Sequence, residues 1–430
     1  MPQQNVLICT VGGSYQPIIT AIRNNQSDYV CFICTGKDSA TGRPGSDTQI
    51  TGKGNIIKAK FGDPKPTLPN IPTQAGLNEE QYEVVNVPAD DLDVAYTNIH
   101  EAVKKLTERF PNASMLADYT GGTKTMTAAL VIVALGTEQM DLQLVTGSRA
   151  DLVKVRQNTE QATPVNVERI RLERAVSPYI AAWQRYAYDE AAIGLKNIRP
   201  PRNDELRRNL WRLCDLSKAF AAWDRFAHAQ AFEKIDIYRP KLGKSLSKHF
   251  TTLEILTDEN RREPMQILDL WRNAERRASQ GRYDDAVARI YRLIEWTAQW
   301  LLRSQCEINT SEIPPEKVPA DVKLPLCKDG QHYQAGLFDA WKLVGSLTQG
   351  AAAQFIQTHE KRLQNHIHKR NASILAHGFT SITKADWDEW ANWMATDFLP
   401  MFEEEAIKID KRFFIPPQLP TDLTLFDEQK

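Results

Sequence analysis

The sequence predicts an α/β domain built on a mostly parallel, doubly wound sheet, followed by an all-α domain. Three observations carry this. Up to about residue 155, short apolar runs alternate with stretches of helical spacing. Two Gly-Gly turns each close one of those runs. All ten tryptophans lie at or after Trp183, and from there helical periodicity dominates.

Residues 5–10 are a short apolar run ending in Val11-Gly12-Gly13-Ser14, and 17–23 then have helical spacing. Residues 29–35 read as a second, buried strand followed by Gly36-Lys37. Residues 36–78 are rich in Gly, Pro, Thr and Asn, and read as a long loop with room for one small hairpin. A third strand is expected at 82–87. Residues 92–110 form an amphipathic helix opened by Asp90-Asp91, whose carboxylates suit a positive helix N-terminus. A fourth strand at 114–119 closes in Thr120-Gly121-Gly122-Thr123-Lys124. The helix at 126–138 is apolar nearly all round, hence buried. Further strands are expected at 142–146 and 152–155.

In the common doubly wound order the first and fourth strands are neighbours at the switch point. Gly12-Gly13 and Gly121-Gly122 then flank one crevice, where backbone N–H groups and helix N-termini bind anions. Thr10, Ser14, Thr120 and Thr123 add hydroxyls, Lys124 adds a charge, and Gly36 follows the second strand into the same set. Turns that need Gly only for positive φ would read alike; their place at strand C-ends favours a ligand. The dinucleotide fingerprint G-x-G-x-x-G is absent. So is the triphosphate loop, whose best fragment, Gly243-Lys244-Ser245, has Tyr238 where the first Gly should stand. The crevice suits phosphate without the signature of NAD or ATP.

Beyond it, Arg199-Pro200-Pro201-Arg202 marks a boundary or kink. Helices are expected at 206–234, 265–280, 284–306, 336–347, 352–369, 372–379 and 385–408, with a Pro-rich loop at 308–333. The chain divides into 1–165, a helical connecting region at 166–260, and 261–430. The stripe Trp387, Trp390, Phe398, Phe402 reads as core or dimer interface rather than a base-stacking platform.

Within the last segment stands Lys369-Arg370-Asn371-Ala372-Ser373-Ile374-Leu375-Ala376-His377-Gly378. On a helix, seven steps bring His377 to within about 20° of Arg370. A permanent cation beside a proton carrier suits phosphodiester cleavage: Arg holds the phosphate and offsets transition-state charge, and His moves protons. In RNA the ribose 2′-OH supplies the nucleophile, so the chemistry requires no metal. The bare pattern is weak, since Arg, about six residues, then His arises by chance about once or twice in such a chain. A solvated helix face ending in a capping His would look the same. Arg362 and His368 form a decoy, about 120° apart on a helix. His359, His366, His368 and His377 are not spaced as a metal site, because His366 and His368 point to different faces. Lys361, Arg362, Lys369 and Arg370 make the segment basic, as phosphate binding prefers.

The net charge of −1 predicts no bulk affinity for nucleic acid, so any RNA contact is local. Six cysteines are scattered. Cys31 and Cys34 sit inside an apolar run, and read as buried strand thiols rather than a redox or zinc pair. No signal peptide opens the chain and no apolar run reaches the roughly 18 residues of a spanning helix. The expected compartment is the cytoplasm.

Taken together, these features are familiar. The Val-Gly-Gly-Ser turn and Thr120-Gly121-Gly122-Thr123-Lys124 before a buried helix resemble CARF domains, the Rossmann-like sensors of CRISPR systems. Arg370-Asn371 through Ala376-His377-Gly378 resembles the R-x4-6-H motif of HEPN ribonucleases. Gly281-Arg282-Tyr283-Asp284-Asp285-Ala286-Val287-Ala288-Arg289-Ile290-Tyr291-Arg292 resembles a helix of the CARF–HEPN effectors of type III CRISPR systems. The resemblance implies a homodimer that binds a cyclic oligoadenylate at the CARF pair. It implies cleavage of single-stranded RNA without metal or cofactor at a composite HEPN site of Arg370, Asn371 and His377. An even-numbered ring, of four or six adenylates, fits two-fold symmetry best. Some CARF domains slowly cleave their own ring. The competing reading is a pure sensor on an inactive HEPN scaffold. Residues 166–260 and the loop at 36–78 have no assigned counterpart.

Overall fold

A computed structural model describes residues 3–39, 41–52, 68–147, 160–328 and 330–422. It divides into two units, Met1–Arg174 and Ala175–Lys430.

The first unit is built on β1 (Asn5–Thr10), α1 (Gln16–Asn24), β2 (Tyr29–Cys34), α2 (Thr48–Thr51), α3 (Ile71–Ala75), β3 (Tyr82–Asn86), α4 (Leu92–Arg109), β4 (Ser114–Asp118), α5 (Lys124–Gly136), β5 (Met140–Thr146) and β6 (Gln161–Val165). The six strands run in the order β3-β2-β1-β4-β5-β6. All neighbours are parallel except β5 and β6. Alternate side chains serve two cores. Val6, Ile8, Cys31 and Ile33 face α4 and α5, while Leu7, Cys9, Val30 and Phe32 face α1. A sheet covered on both faces accounts for the near-continuous apolar strands. Cys9, Cys31 and Cys34 are buried thiols, and burial raises all three above the ordinary thiol range.

Three sequence expectations need correction or limits. β6 was not foreseen: it is polar and carries Pro164, which an edge strand tolerates. The described part of the 36–78 loop holds the short helices α2 and α3 and no hairpin. The strand expected at 152–155 lies outside the described residues.

α6 (Glu168–Gln184) spans the boundary between the units. The second unit continues with α7 (Tyr188–Lys196), α8 (Asp204–Asp224), α9 (His228–Asp236), α10 (Arg239–Leu242), α11 (Ser247–Thr257), α12 (Arg262–Ser279) and α13 (Tyr283–Cys306). After a loop at 307–336 come α14 (Leu337–Leu347), α15 (Ala351–Asn371), α16 (Lys384–Trp393), a π-helical turn at Met394–Phe398, and α17 (Leu399–Ile409). The helix expected over 206–234 is two helices. Phe226 takes a left-handed φ of 62° and ends α8; Tyr186 (59°) and Gly281 (75°) do the same after α6 and α12. At all three corners the next N–H reaches back five residues: Ala187 to Ala182, Ala227 to Ala222, Arg282 to Arg277, each at 2.9 Å.

Trp341, Trp390, Trp393, Phe398 and Phe402 are fully buried in one core. Removing such a side chain costs about 3–5 kcal/mol, a large share of a domain's usual stability of about 5–15 kcal/mol. The aromatic stripe is therefore core. Among the described residues no helix is long and apolar enough to cross a membrane.

Candidate functional site

In the second unit, α15 ends at Asn371, so Arg370 and His377 do not share a helix face and no helix forms at 372–379. The chain instead winds into a closed turn. Ser373 N–H donates to the Arg370 carbonyl (3.0 Å), His377 N–H to the Asn371 carbonyl (3.2 Å), and Gly378 N–H to the Ser373 carbonyl (3.2 Å). Thr380 N–H then reaches the Ala372 carbonyl (3.1 Å). Gly378 is required by close approach, because a Cβ there would run into the Ala372 carbonyl. This turn, not helical periodicity, returns His377 to the end of α15.

The charges at that end are unequal. Lys369 is paired with Asp386 and Glu389. Arg362 lies 3.5 Å from Asp397, which also stands 3.9 Å from His359. Lys361 is exposed. Arg370 pairs with no carboxylate among the described residues. Its Nη1 donates to Asn371 Oδ1 at 3.1 Å, and its guanidinium carbon lies 4.2 Å from the centre of the Tyr291 ring on α13. Its Nε is buried without an acceptor. Of the two basic residues at the end of α15, Lys369 is thus neutralised and Arg370 is left without a described carboxylate.

The histidines separate in the same way. His377 is exposed on the turn, and His368 is exposed on α15. His366 is packed between Trp390 and Trp393, with ring centres 4.3 and 4.7 Å away. Burial lowers its pKa to about 4, so it is neutral at pH 7 and out of reach of substrate. His359 stacks on Phe355 at 4.9 Å. Among the described residues no group of three or more His, Cys, Asp or Glu could hold a metal ion. An arrangement of Arg370, Asn371 and exposed His377 can bind a phosphate and exchange a proton beside it.

In the first unit, β1 and β4 are neighbours, with Cys9 opposite Asp118, and this sets the two Gly turns side by side. They touch. A Cβ on Gly12 would lie 2.5 Å from Gly122 N, and one on Gly121 would lie 2.6 Å from the Thr10 carbonyl. Gly122 has a φ of +86°. Much of the expected polar set holds the turns together. Buried Thr10 donates to the Gly121 carbonyl at 2.6 Å. Thr120 Oγ1 accepts from Val145 N–H at 2.7 Å. Thr123 caps α5 through Met126 N–H and donates to the Ala89 carbonyl at 2.9 Å. A Cβ on Gly36 would lie 3.6 Å from the Asn86 side chain, an ordinary contact.

What faces outward is Gly13, with open space above it, exposed Ser14, and exposed Lys124 on the first residue of α5. Neither α1 nor α5 has an acidic residue in its first turn. Both helix N-termini therefore keep their partial positive charge, and Lys124 adds to it. Gln49 was not singled out from sequence. It comes from the loop, on α2, and its amide donates to the Gly12 carbonyl; only its apolar neighbour Ile50 hinted at burial. Tyr291 had a hint, since it lies in the 281–292 stretch, but no role follows from sequence alone.

Residues 258–398 match the family described as Csm6 HEPN domain. No curated protein matches the chain. Among solved structures it is similar to Enterococcus italicus Csm6 bound to cyclic hexa-2'-fluoro-hexa-dAMP: 14% identity, 96% of this chain and 95% of that chain covered, TM-score 0.56. Can2 from Sulfobacillus thermosulfidooxidans in complex with cyclic tetra-adenylate aligns at 12% identity over 57% of this chain and 68% of that one, with a TM-score of 0.22. The first likeness shows a shared fold over nearly the whole length; the second is too distant to carry an argument.

Proposed function

We propose that this chain, which carries a Csm6 HEPN domain at 258–398 and has the Csm6 fold, is an RNA endonuclease switched on by a cyclic oligoadenylate in type III CRISPR defence. The observation that carries the nuclease half is the closed turn: it holds exposed His377 against the end of α15, beside an Arg370 whose charge no described carboxylate cancels.

Arg370 binds the scissile phosphate and offsets the charge that builds in the transition state. Asn371 Oδ1 orients its guanidinium. The ribose 2′-OH attacks phosphorus, its proton goes to a base, and the bond to the 5′ oxygen breaks as that oxygen takes a proton. His377 serves as that acid or base. The products end in 2′,3′-cyclic phosphate and 5′-hydroxyl, and no step needs a metal. Two copies of the chain supply a composite site from two such turns.

The sensing half rests on the outward set of the first unit. Gly13, Ser14, Lys124 and the N-termini of α1 and α5 offer N–H donors and positive charge to the phosphates of a ring. A two-fold dimer favours a ring of four or six adenylates. The solved Csm6 that shares this fold holds a cyclic ligand of six nucleotides.

A fluorogenic RNA reporter in EDTA, with cyclic tri-, tetra- and hexa-adenylate offered separately, tests both halves. Cleavage should appear with cyclic tetra- or hexa-adenylate. Ring binding without cleavage under any condition would make the chain a sensor only.

A further inference from the structure

Resting on the nuclease reading above, we propose that Tyr291 is a positioning residue for that site: its ring face holds the Arg370 guanidinium in place without cancelling its charge.

The argument starts from what normally fixes an arginine. A carboxylate would hold Arg370 more firmly, but would also neutralise it, and a neutralised cation has little left for a phosphate. The neighbouring Lys369 shows that outcome, tied to Asp386 and Glu389. Arg370 is fixed differently. One nitrogen donates to the neutral side chain of Asn371 (3.1 Å), and the guanidinium lies over the Tyr291 ring at 4.2 Å. An aromatic face attracts a cation through its quadrupole and carries no net charge. The buried Nε without an acceptor fits the same picture, since the inner side of the guanidinium meets a ring rather than an oxygen.

Tyr291 is itself well fixed. It sits in the middle of α13, a 24-residue helix packed into the main core. Burial raises its phenol above the ordinary value, with the Arg370 charge opposing, so the ring stays neutral at working pH. The same helix anchors the other side of the site. Both carboxylate oxygens of Asp284 lie 3.2 Å from the N–H of Ile382, just beyond the turn that carries His377. Asp284 and Tyr291 are seven residues apart, two helical turns on one face. One face of α13 therefore fixes the cation directly and the far end of the His377 turn through Asp284.

The test compares Tyr291→Phe, which keeps the ring, with Tyr291→Leu, which removes it at similar bulk, each alone and with Arg370→Ala. The readouts are kcat and KM on an RNA reporter at saturating ring, and the side-chain Nε–H resonance of Arg370 in arginine-labelled protein. Tyr291→Phe should stay within about threefold of wild type. Tyr291→Leu should lower kcat about tenfold or more with KM nearly unchanged, and should add nothing once Arg370 is alanine. The Arg370 resonance should move in Tyr291→Leu and hold in Tyr291→Phe. The proposal is overturned if Tyr291→Phe loses as much as Tyr291→Leu, if Tyr291→Leu moves the resonance but not kcat, or if its loss persists beside Arg370→Ala. Should wild type cleave no RNA, the nuclease reading fails instead, and the resonance comparison alone decides whether Tyr291 holds Arg370.

Discussion

The main-chain N–H of His377 donates to the carbonyl oxygen of Asn371 at 3.2 Å, which sets the separation between the two ends of the motif. The bond survives only while Gly378 can pass beneath the Ala372 carbonyl. Gly378→Ala should therefore open the turn and lower RNA cleavage about tenfold or more. The loss should be local, because Ile374, Leu375 and Phe379 around the turn are exposed and contribute little to the core. Cleavage rates measured beside thermal melts check this. Wild-type cleavage by Gly378→Ala would mean that His377 needs no such closure.

Removing the groups proposed to react should be more severe. Arg370→Ala and His377→Ala should each lower cleavage about a hundredfold and leave ring binding intact. His368→Ala should change it little, because His368 lies on α15 outside the turn. Product analysis is the second check. A metal-dependent 3′-hydroxyl product would remove the 2′-OH mechanism, and loss of cleavage in His368→Ala but not His377→Ala would reassign the proton carrier.

The fold was legible where side chains repeat and illegible where backbone decides. β1, β2 and β4 announced themselves as apolar runs because strands covered on both faces need them, while β3 and β5 were foreseen although they carry Glu83, Asn86, Asp141 and Gln143. β6 was not, since an edge strand can be polar and hold Pro164. Phe226 gave no warning of a helix end, because nothing in its side chain marks a left-handed φ; only the third such corner carries the expected glycine, Gly281. The end of α15 was expected at 369 and falls at Asn371, but the helix expected at 372–379 does not form. No Gly or Pro stands between Asn371 and Gly378, so periodicity ran on through a stretch that the chain folds as turns. Arg370 and His377 were singled out by spacing, while what returns His377 to the end of α15 is a backbone bond to Asn371 that spacing cannot report.

His366 gives a pH dependence with a definite sign. Its pKa falls from 6.5 to about 4 on folding, through burial between Trp390 and Trp393. Between those values the unfolded chain binds the proton and the folded chain does not, so stability should fall as pH drops from 6.5 towards 4. Above 6.5 this group contributes no slope. Melting temperatures of wild type and His366→Phe across that window separate its share, because phenylalanine fits the aromatic pocket and does not titrate. Parallel curves for the two proteins would assign the slope to other groups.

The two Gly turns of the first unit need variants that separate packing from binding. Gly12, Gly121 and Gly122 are poor probes, because each lies against backbone or carries a positive φ, and any side chain there disturbs the turn itself. Gly13 is different: a Cβ there meets nothing within 4 Å. Gly13→Val should fold as wild type yet block the approach of a ring phosphate to the backbone. Lys124→Ala removes an exposed charge at the start of α5, and should weaken ring binding about tenfold, the usual scale for a hydrogen bond to a charged group. The salt dependence of binding should shrink with it, while cleavage at saturating ring stays intact. Calorimetry with the ring, run at two salt concentrations beside RNA cleavage, reads all of this. If Gly13→Val and Lys124→Ala bind the ring as wild type does, the crevice between β1 and β4 is not the ligand site and its glycines serve only to let two turns touch.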